Sequence, residues 1–309
     1  MVPADPLAVV LSDQATKDPS IRAAYVKRWG LDRSLPEQFV RYLVNVLRGD
    51  LGEAFTSRRP VVRDLAQYLP ATIELSLAAL AFSVVVGVPL GIAAAVRHNR
   101  ATDHIARAIS LVGAASPIFW TGLVALYLFY YLLNWFPGPG RLAPYLQLPP
   151  RVTGFLLVDS LVAGSWDIFW SGLTHLLLPA MVLGWFIMGI IARITRAALL
   201  EILSADYVRT ARAKGVGEPS VVALHALRNA LIPVVTVTGL TFASLLSGAV
   251  LTETVFAWPG IGRYVVTAST NLDYPAILGV TILTAVIYIT VNLAVDLLYG
   301  LLDPRIRVE

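Results

Sequence analysis

Hydrophobic residues in this 309-residue chain are gathered into long runs separated by shorter polar stretches. Five runs are long enough to cross the roughly 30 Å hydrocarbon core of a bilayer as helices of about 20 residues. An open strand in lipid would leave backbone groups unpaired, so each run is predicted to be helical. The pattern therefore predicts an all-α polytopic membrane protein with five transmembrane helices, at Leu75–Val96, Ala108–Phe136, Gly172–Ala192, Ala230–Thr252 and Ala276–Leu302.

Composition agrees with this class and excludes several chemistries. The chain is 57% hydrophobic and 14% charged, against about 25% charged in a typical soluble domain. It contains no cysteine, which excludes a disulfide scaffold, a thiol nucleophile and cysteine-ligated zinc. Its four histidines show no H-E-x-x-H spacing, and no serine stands in G-x-S-x-G. We therefore expect no catalytic residues, no metal site and no intramembrane enzyme.

The distribution of arginine and lysine predicts the orientation of the spans. Beyond residue 70, basic residues are concentrated in residues 97–107, in the segment from Arg193 to Arg228 and in the C-terminal tail, whereas the loops 137–171 and 253–275 hold only three. Cytoplasmic loops are the ones enriched in basic residues. The C-terminus and the segment 193–229 are therefore expected to be cytoplasmic, and this location explains the basic charge better than nucleic-acid binding does.

Five crossings from a cytoplasmic C-terminus place residues 1–70 outside the cell. This region is rich in charge, and its start, "MVPADPLAVVL", is neither a signal peptide nor a span that could carry it across. We therefore expect one further N-terminal helix in the natural protein. The expected organisation is an extracytoplasmic N-terminal region at 1–70 and a transmembrane domain at 71–309.

Several residues within or beside the spans are candidates for a pathway or its gating. Pro117, Pro179 and Pro233 could mark helices that bend as a pathway opens, although membrane helices also tolerate proline for no functional reason. Glu253 could face a pathway mouth or an external binding protein, and the sequence does not decide. Asp296 is expected to lie near the interface and to pair with a basic residue such as Arg305.

The segment 193–229 is charged and helix-prone, yet it lies between two strongly apolar spans. It is interpreted as three helical pieces: one leaving the membrane, one beginning after Ser204 as its cap, and one following a turn at residues 215–217. Apolar residues recur in the third piece, which a solvated basic loop does not explain. We expect this segment to dock against another protein.

The stretches "DYVRTARAKG" in this segment and "HALRNALIPV" at its end, which continues into the next span, resemble the EAA loop of ABC importer permeases, in the form found in the dipeptide/oligopeptide/nickel transport family. Further stretches resemble that family in the same order, so that the resemblance extends from one end of the chain to the other: "RGDLGEAF", "RRPVVRDLAQYLPATIELSLAA", "SPIFWTGL", "HLLLPA", "TETVFAWPGIGR" and "NLAVDLLYGLLDPRIR". Two features depart from the general pattern. The family usually begins with a helix ahead of a "PGDP"-like turn, whereas this sequence begins at "VPADP", so the first helix is expected to be missing here. In addition, Arg209 stands where the general EAA pattern has an acidic residue.

The resemblance implies a permease that pairs with a second, related permease and seats its EAA loop in a groove on a cytoplasmic ATPase subunit. Two such ATPases would bind ATP and magnesium, because this chain has no G-x-x-x-x-G-K-[ST] loop. An extracytoplasmic solute-binding protein would deliver the solute. The residues expected to form the coupling loop are Tyr207, Arg209, Ala211, Arg212, Gly215, His225 and Arg228. Of these, Ala211 and Gly215 are expected to permit close docking, and Tyr207 and Arg212 to make rim contacts.

The function implied is that of a non-enzymatic transport subunit in a bacterial or archaeal plasma membrane, forming the path for peptides or similar small solutes. The alternative is a self-contained secondary transporter driven by an ion gradient. Such a protein would need polar groups near the membrane midplane and usually has internal repeats, and neither is evident in the sequence. The particular solute, whether a dipeptide, an oligopeptide, a nickel chelate, an opine or a sugar, stays open.

Overall fold

The computed structural model of the chain describes residues 33–302, and within this range the secondary structure is helical apart from one isolated antiparallel bridge between Glu53 and Pro60. Residues 1–32 and Arg305, on which two of the expectations above rest, lie outside the described residues, as does the side chain of Asp296. In chain order the helices are α1 (Leu35–Leu47), α2 (Val61–Val96), α3 (Ala101–Ala115), α4 (Ile118–Ala125), α5 (Leu156–Val162), α6 (Trp166–Leu203), α7 (Asp206–Ala213), α8 (Glu218–Ser220), α9 (Leu227–Gly248), α10 (Val250–Val255), α11 (Ile261–Thr270) and α12 (Tyr274–Leu302).

Within residues 33–302, four helical segments are long and apolar enough to cross a bilayer: Val61–Val96, Trp166–Leu203, Glu218–Leu246 and Tyr274–Val295. A fifth crossing results if α3 and the helix that begins at Ile118 form one broken span. The expectation of an all-helical chain with several spans is thus confirmed. Val61–Val96 and Trp166–Leu203 are longer than the apolar runs that predicted them, because helical hydrogen bonding continues through the polar residues that flank those runs.

The predicted continuous span Ala108–Phe136 is wrong, because the chain bends by 105° between α3 and the helix that begins at Ile118. Ser116, which precedes Pro117, has an extended backbone (φ −82°, ψ 128°). A proline ring disfavours the helical conformation of the residue before it, so α3 ends there. Pro117 is the N-cap of the next helix, α4, which passes into the π-helix Leu126–Leu132.

Contacts between residues divide the chain into two units. The smaller unit contains the described residues up to Leu69 together with Tyr264–Leu283. Inside it, the buried carboxylate of Asp64 forms an ion pair with Arg59 (2.7 Å) and accepts hydrogen bonds from Ser57 and Tyr264. One acidic side chain thereby holds the turn before α2 and the start of α11 together. The predicted boundary at residue 70 stays a prediction.

The larger unit, Pro70–Arg263 with the part of the chain that follows Leu283, is built around α6. In the apolar windows of the candidate spans, 72% of the α6 window is buried inside the chain, compared with 33% or less for the other three. Leu183, Ile187 and Ile191 of α6 pack with Leu75 of α2 and Val234 of α9. The remaining apolar surface of the outer helices is available to lipid or to partner subunits.

Glycines allow α2 and α6 to approach closely. A Cβ atom added at Gly87 would lie 2.9 Å from the carbonyl oxygen of Met188, and one at Gly91 would lie 2.6 Å from that of Ala192. The small-xxx-small pair formed by Gly87 and Gly91 is therefore a helix-packing surface, as its spacing predicts.

Candidate functional site

The loop that follows α6 differs at its start from the sequence interpretation. Ser204, expected to cap the second helical piece, instead ends α6, where its hydroxyl donates to the carbonyl of Glu201 (2.7 Å). Its backbone is helical (φ −89°, ψ −9°), whereas Ala205 has the extended backbone typical of an N-cap. The predicted Ser204 cap is therefore wrong, and α7 begins after Ala205.

The loop has a small hydrophobic core of its own. Val208, Ala211 and Val221 are buried together, and Leu203 and Val216 pack against them. The methyl group of Ala211 is therefore turned into the loop and only 8% of the residue is exposed. The small size of residue 211 permits close packing inside the chain, where sequence analysis expected it to permit close approach by a partner.

Gly215 ends α7 in a left-handed conformation, with φ of +80°. The N–H of Gly215 donates to the carbonyl of Arg212 (2.9 Å), and that of Val216 donates to the carbonyl of Ala211 (3.3 Å). These two bonds form the Schellman motif, which favours glycine at its left-handed position. A Cβ atom at residue 215 would meet no other atom within 4 Å, so the requirement for glycine that this chain imposes is conformational.

Arg212 joins three elements of the loop. Its guanidinium donates two hydrogen bonds to the carboxylate of Glu218, from Nε to Oε2 (3.0 Å) and from Nη2 to Oε1 (2.6 Å). Nη1 donates to the carbonyl of Leu203 at the end of α6 (3.2 Å). Arg212 is thus engaged within the loop, where sequence analysis expected a rim contact to a partner.

The third helical piece is not a separate helix. Glu218–Ser220 continues through the π-helix Val221–Ala226 into α9 without a break. The expectation of a separate third piece is therefore wrong, and His225 and Arg228 lie on the polar extension of a candidate span.

The outer surface of the loop combines polar, basic and apolar groups. Tyr207, Leu224, His225 and Arg228 are exposed, and the amide of Asn229 donates to the hydroxyl of Tyr207 (2.9 Å). Arg209 is 72% exposed and forms only a long contact with Asp206 (3.5 Å). Leu224, at 72% exposure, is a large apolar side chain in open solvent. This exposed surface, defined by Tyr207, Arg209, Leu224, His225 and Arg228, is called the loop face below.

A buried ion pair that sequence analysis missed connects α3 to α6. Arg196 donates from Nε to Oδ1 of Asp103 (2.7 Å) and from Nη2 to Oδ2 (2.9 Å), and the Asp103 side chain is fully buried. Arg196 lies two turns before the end of α6, so the pair fixes the helix that leads into the loop. The sequence signal that could have indicated an ion pair is the position of Asp103 among the arginines of residues 97–107.

Glu253 lies in α10, just after the end of α9 that is farther from the loop, and it is enclosed by the chain. Its carboxylate accepts hydrogen bonds from the hydroxyl of Thr72 (2.6 Å) and from the backbone N–H of Arg263 (3.0 Å). Gly260 and Gly262 lie against this carboxylate without room for a Cβ atom. Burial raises the pKa of Glu253 above its usual range, although these hydrogen bonds act in the opposite direction. Glu253 is not exposed at a surface of this chain.

The neighbouring loops are held to the same part of α2. The indole N–H of Trp258 donates to the carbonyl of Ala71 (2.8 Å), and Arg141 forms an ion pair with Glu74 (2.5 Å). Contacts within about one turn of α2, at Ala71, Thr72 and Glu74, therefore fasten two loops that the sequence separates by more than 100 residues. Of the proline candidates, Pro117 lies at the bend after α3, while Pro179 and Pro233 lie inside continuous helices.

This architecture is also found among solved structures. The fold resembles the membrane subunit of the MetNI methionine ABC transporter in its inward-facing conformation, with a TM-score of 0.57 at 16% identity, over 77% of this chain and 96% of that one. The likeness extends to a second crystal form of the same transporter, with a TM-score of 0.58. At such identity the comparison establishes the fold alone.

The family follows from the sequence. Residues 87–308 match the model of the binding-protein-dependent transport system inner membrane component, and the chain belongs to that family. It is 46% identical to the di/tripeptide transport system permease protein DppB of Pseudomonas aeruginosa, over 99% of this chain and 91% of that protein. It is also 46% identical to the probable D,D-dipeptide transport system permease protein DdpB of Escherichia coli, over 99% and 89%.

The chain is therefore an inner-membrane permease subunit of an ABC importer, and the ATPase activity of such transporters lies in separate subunits. The secondary-transporter alternative is not supported, because the relatives are permease components of multi-subunit systems. The family indicates no cofactor for this subunit.

Proposed function

We propose that this permease conducts di- and tripeptides inward across a bacterial or archaeal plasma membrane. The observation that carries this is the identity of 41–46% to permeases named for dipeptides or di/tripeptides over nearly the whole chain. A solute-binding protein delivers the peptide outside, and a second, related permease completes the path. Two ATPase subunits bind ATP and magnesium in the cytoplasm.

In this arrangement the C-terminus and the loop 193–229 are cytoplasmic, and residues 1–70 are extracytoplasmic. The concentration of basic residues in the loop supports this orientation. The loop face is the surface that an ATPase groove receives, with Leu224 as its apolar anchor and Arg209, His225 and Arg228 around it. Tyr207 contributes through both its ring and the hydroxyl that Asn229 holds.

Within the same proposal, Ala211, Arg212 and Gly215 shape the loop and do not contact the ATPase. The buried methyl of Ala211, the ion pair of Arg212 and the left-handed backbone of Gly215 support this division. The loop then moves as one body with α6 and α9, so closure of the ATPases is transmitted to both spans.

The gating candidates lie where a helix lacks a backbone hydrogen bond or where it is fastened to a neighbouring helix. Pro179 and Pro233 lack the backbone N–H of an ordinary helical residue, so the carbonyl one turn before each has no helical partner. Pro117 ends the bend after α3, and Glu253 fixes the outer end of α10 to α2. Movement of α6 and α9 would be absorbed at these positions.

Transport by the complete complex tests the proposed function. The two permeases and two ATPases are reconstituted in vesicles, binding protein and a radiolabelled dipeptide are supplied on the outer side, and ATP is supplied to the ATPases. Uptake is expected to require ATP, to vanish when the P-loop lysine of the ATPases is replaced, and to persist with an uncoupler. Uptake that needs no nucleotide and collapses with the uncoupler would contradict ATP-driven import.

Cross-linking tests the loop face separately. Because the chain contains no cysteine, Leu224→Cys places one thiol on the loop face for a short thiol-to-amine cross-linker. An adduct with the ATPase is expected, whereas Val152→Cys, an exposed control in the loop 137–171, should give none. Equal adducts from both positions, or none from residue 224, would contradict the assignment.

A further inference from the structure

Helix α1 leaves a wide apolar face uncovered. Phe39, Leu43 and Leu47 recur every fourth residue, as do Val40 and Val44, and side chains at this spacing share one side of a helix. All five are exposed, Leu47 at 87% and Phe39 at 61%. An apolar face of this extent is not expected to stay in water.

The rest of the helix surface is divided between polar and half-buried groups. Glu37, Arg41 and Arg48 are exposed on the side next to the apolar face, whereas Tyr42 and Asn45 are half-buried. The helix therefore has one side turned toward protein, one apolar side and one charged side. This distribution of apolar and charged side chains is typical of a helix that lies in the membrane–water interface.

The end of α1 is tied to the level at which a membrane helix begins. Gly49 ends α1 with φ of +80°, and the side chain of Asp50 accepts a hydrogen bond from the N–H of Gly52 (2.9 Å). Gly52 lies against Pro275, in the first turn of α12, where the apolar run of that helix starts. Leu47 is five residues from Gly52, a reach of at most about 18 Å.

Length decides between crossing the membrane and lying on it. The 13 residues of α1 span about 20 Å as a helix, which is too short for a hydrocarbon core of roughly 30 Å. A helix of this kind lies in the interface with its apolar side about 5–10 Å into the lipid. Arg41 and Arg48 can then reach lipid phosphates, which attract basic residues close to the surface.

We propose that α1 is an interfacial helix whose partner is the phospholipid surface, with Phe39, Leu43 and Leu47 among the acyl chains and Arg41 and Arg48 at the phosphates. The inference concerns how this subunit sits in its bilayer and does not depend on the transported solute. The lipid anchor fixes the segment that precedes α2, which begins where the N–H of Val61 donates to the carbonyl of Gly52 (2.9 Å).

Fluorescence of the complete permease complex tests the proposal. In this cysteine-free chain, Leu43→Cys and Glu37→Cys each carry one environment-sensitive fluorophore, and the complex with the unsubstituted chain gives the background. Vesicles of phosphatidylethanolamine and phosphatidylglycerol contain a fraction of lipid with a nitroxide near the top of its acyl chain. The label at residue 43 is expected to emit at shorter wavelength and to be quenched by the nitroxide lipid. The label at residue 37 should be quenched by aqueous iodide.

Val40→Cys repeats the measurement on the apolar face, in case Leu43→Cys prevents assembly. A label on this face that iodide quenches as strongly as the one at residue 37 would overturn the proposal. Shielding from both quenchers would also overturn it, because that result indicates a protein partner such as the binding protein or the sister permease.

Discussion

Arg212 and Glu218 form a two-point ion pair across the turn at Gly215, with nitrogen–oxygen distances of 3.0 and 2.6 Å. The pair connects α7 to the helix that continues into α9. Both side chains are partly exposed, and exposed pairs typically contribute about 1 kcal/mol or less to stability. The pair is therefore expected to matter for the shape of the loop more than for the stability of the fold.

Reversal of one charge tests this role. Arg212→Glu places two carboxylates across the turn, and their repulsion should open the loop and lower the amount of peptide transported per ATP hydrolysed. Arg212→Glu combined with Glu218→Arg restores the attraction and should recover most of that ratio. Both quantities are measured on the same proteoliposomes, with the amount of assembled complex as the control. A double variant no better than the single one would show that the pair does not shape the loop.

Substitution of Gly215 separates backbone conformation from close docking. Asparagine adopts the left-handed conformation more readily than other residues with a side chain, so Gly215→Asn should retain coupled transport. Gly215→Val should lose most of it, because a β-branched residue there is strained by about 1–2 kcal/mol or more. Loss of coupling in both variants, with normal assembly, would instead support a role in which a partner approaches residue 215 closely.

Gly91 is expected to be intolerant of even a methyl group. A Cβ atom there would lie 2.6 Å from the carbonyl oxygen of Ala192 and from Cβ of Thr195, and overpacking of this kind typically costs about 1–3 kcal/mol. Gly91→Ala should therefore lower the thermal stability of the purified complex. Val85→Ala, at an exposed position of the same helix, should change it little. Equal stability of the two variants would contradict the close contact of α2 with α6.

The sequence was sufficient for the helical class and for most span positions, because apolar runs of membrane length have few alternatives. It could not distinguish Pro117, where the helix breaks, from Pro179 and Pro233, which lie inside continuous helices. All three prolines disfavour a helical conformation of the residue before them, so the local sequence does not show at which of them the helix breaks. The motif around Arg212 identified the loop, but only the fold places its carboxylate partner six residues onward.

Glu253 shows why the partners of a buried group could not be predicted from the sequence. Its hydroxyl partner, Thr72, is 181 residues away in the sequence, and nothing in the local pattern indicates that the two meet. The same hydroxyl also accepts a hydrogen bond from the backbone N–H of Ile261 (2.8 Å). Thr72 therefore serves a buried donor and a buried acceptor at once.

Removal of the Thr72 hydroxyl should lower the stability of the protein, whereas removal of the nearby Thr252 hydroxyl should not. Thr72→Val leaves the carboxylate of Glu253 and the N–H of Ile261 without this partner, and an unsatisfied buried group typically costs about 1–3 kcal/mol. Thr252→Val is the matched control, because the Thr252 hydroxyl is buried and has no hydrogen-bond partner among the described residues. Thermal unfolding of the detergent-solubilised complex should show a clear loss of stability for Thr72→Val and little change for Thr252→Val. Similar losses in both variants would mean that volume and shape at these sites, and not the bond to Glu253, hold α10 to α2.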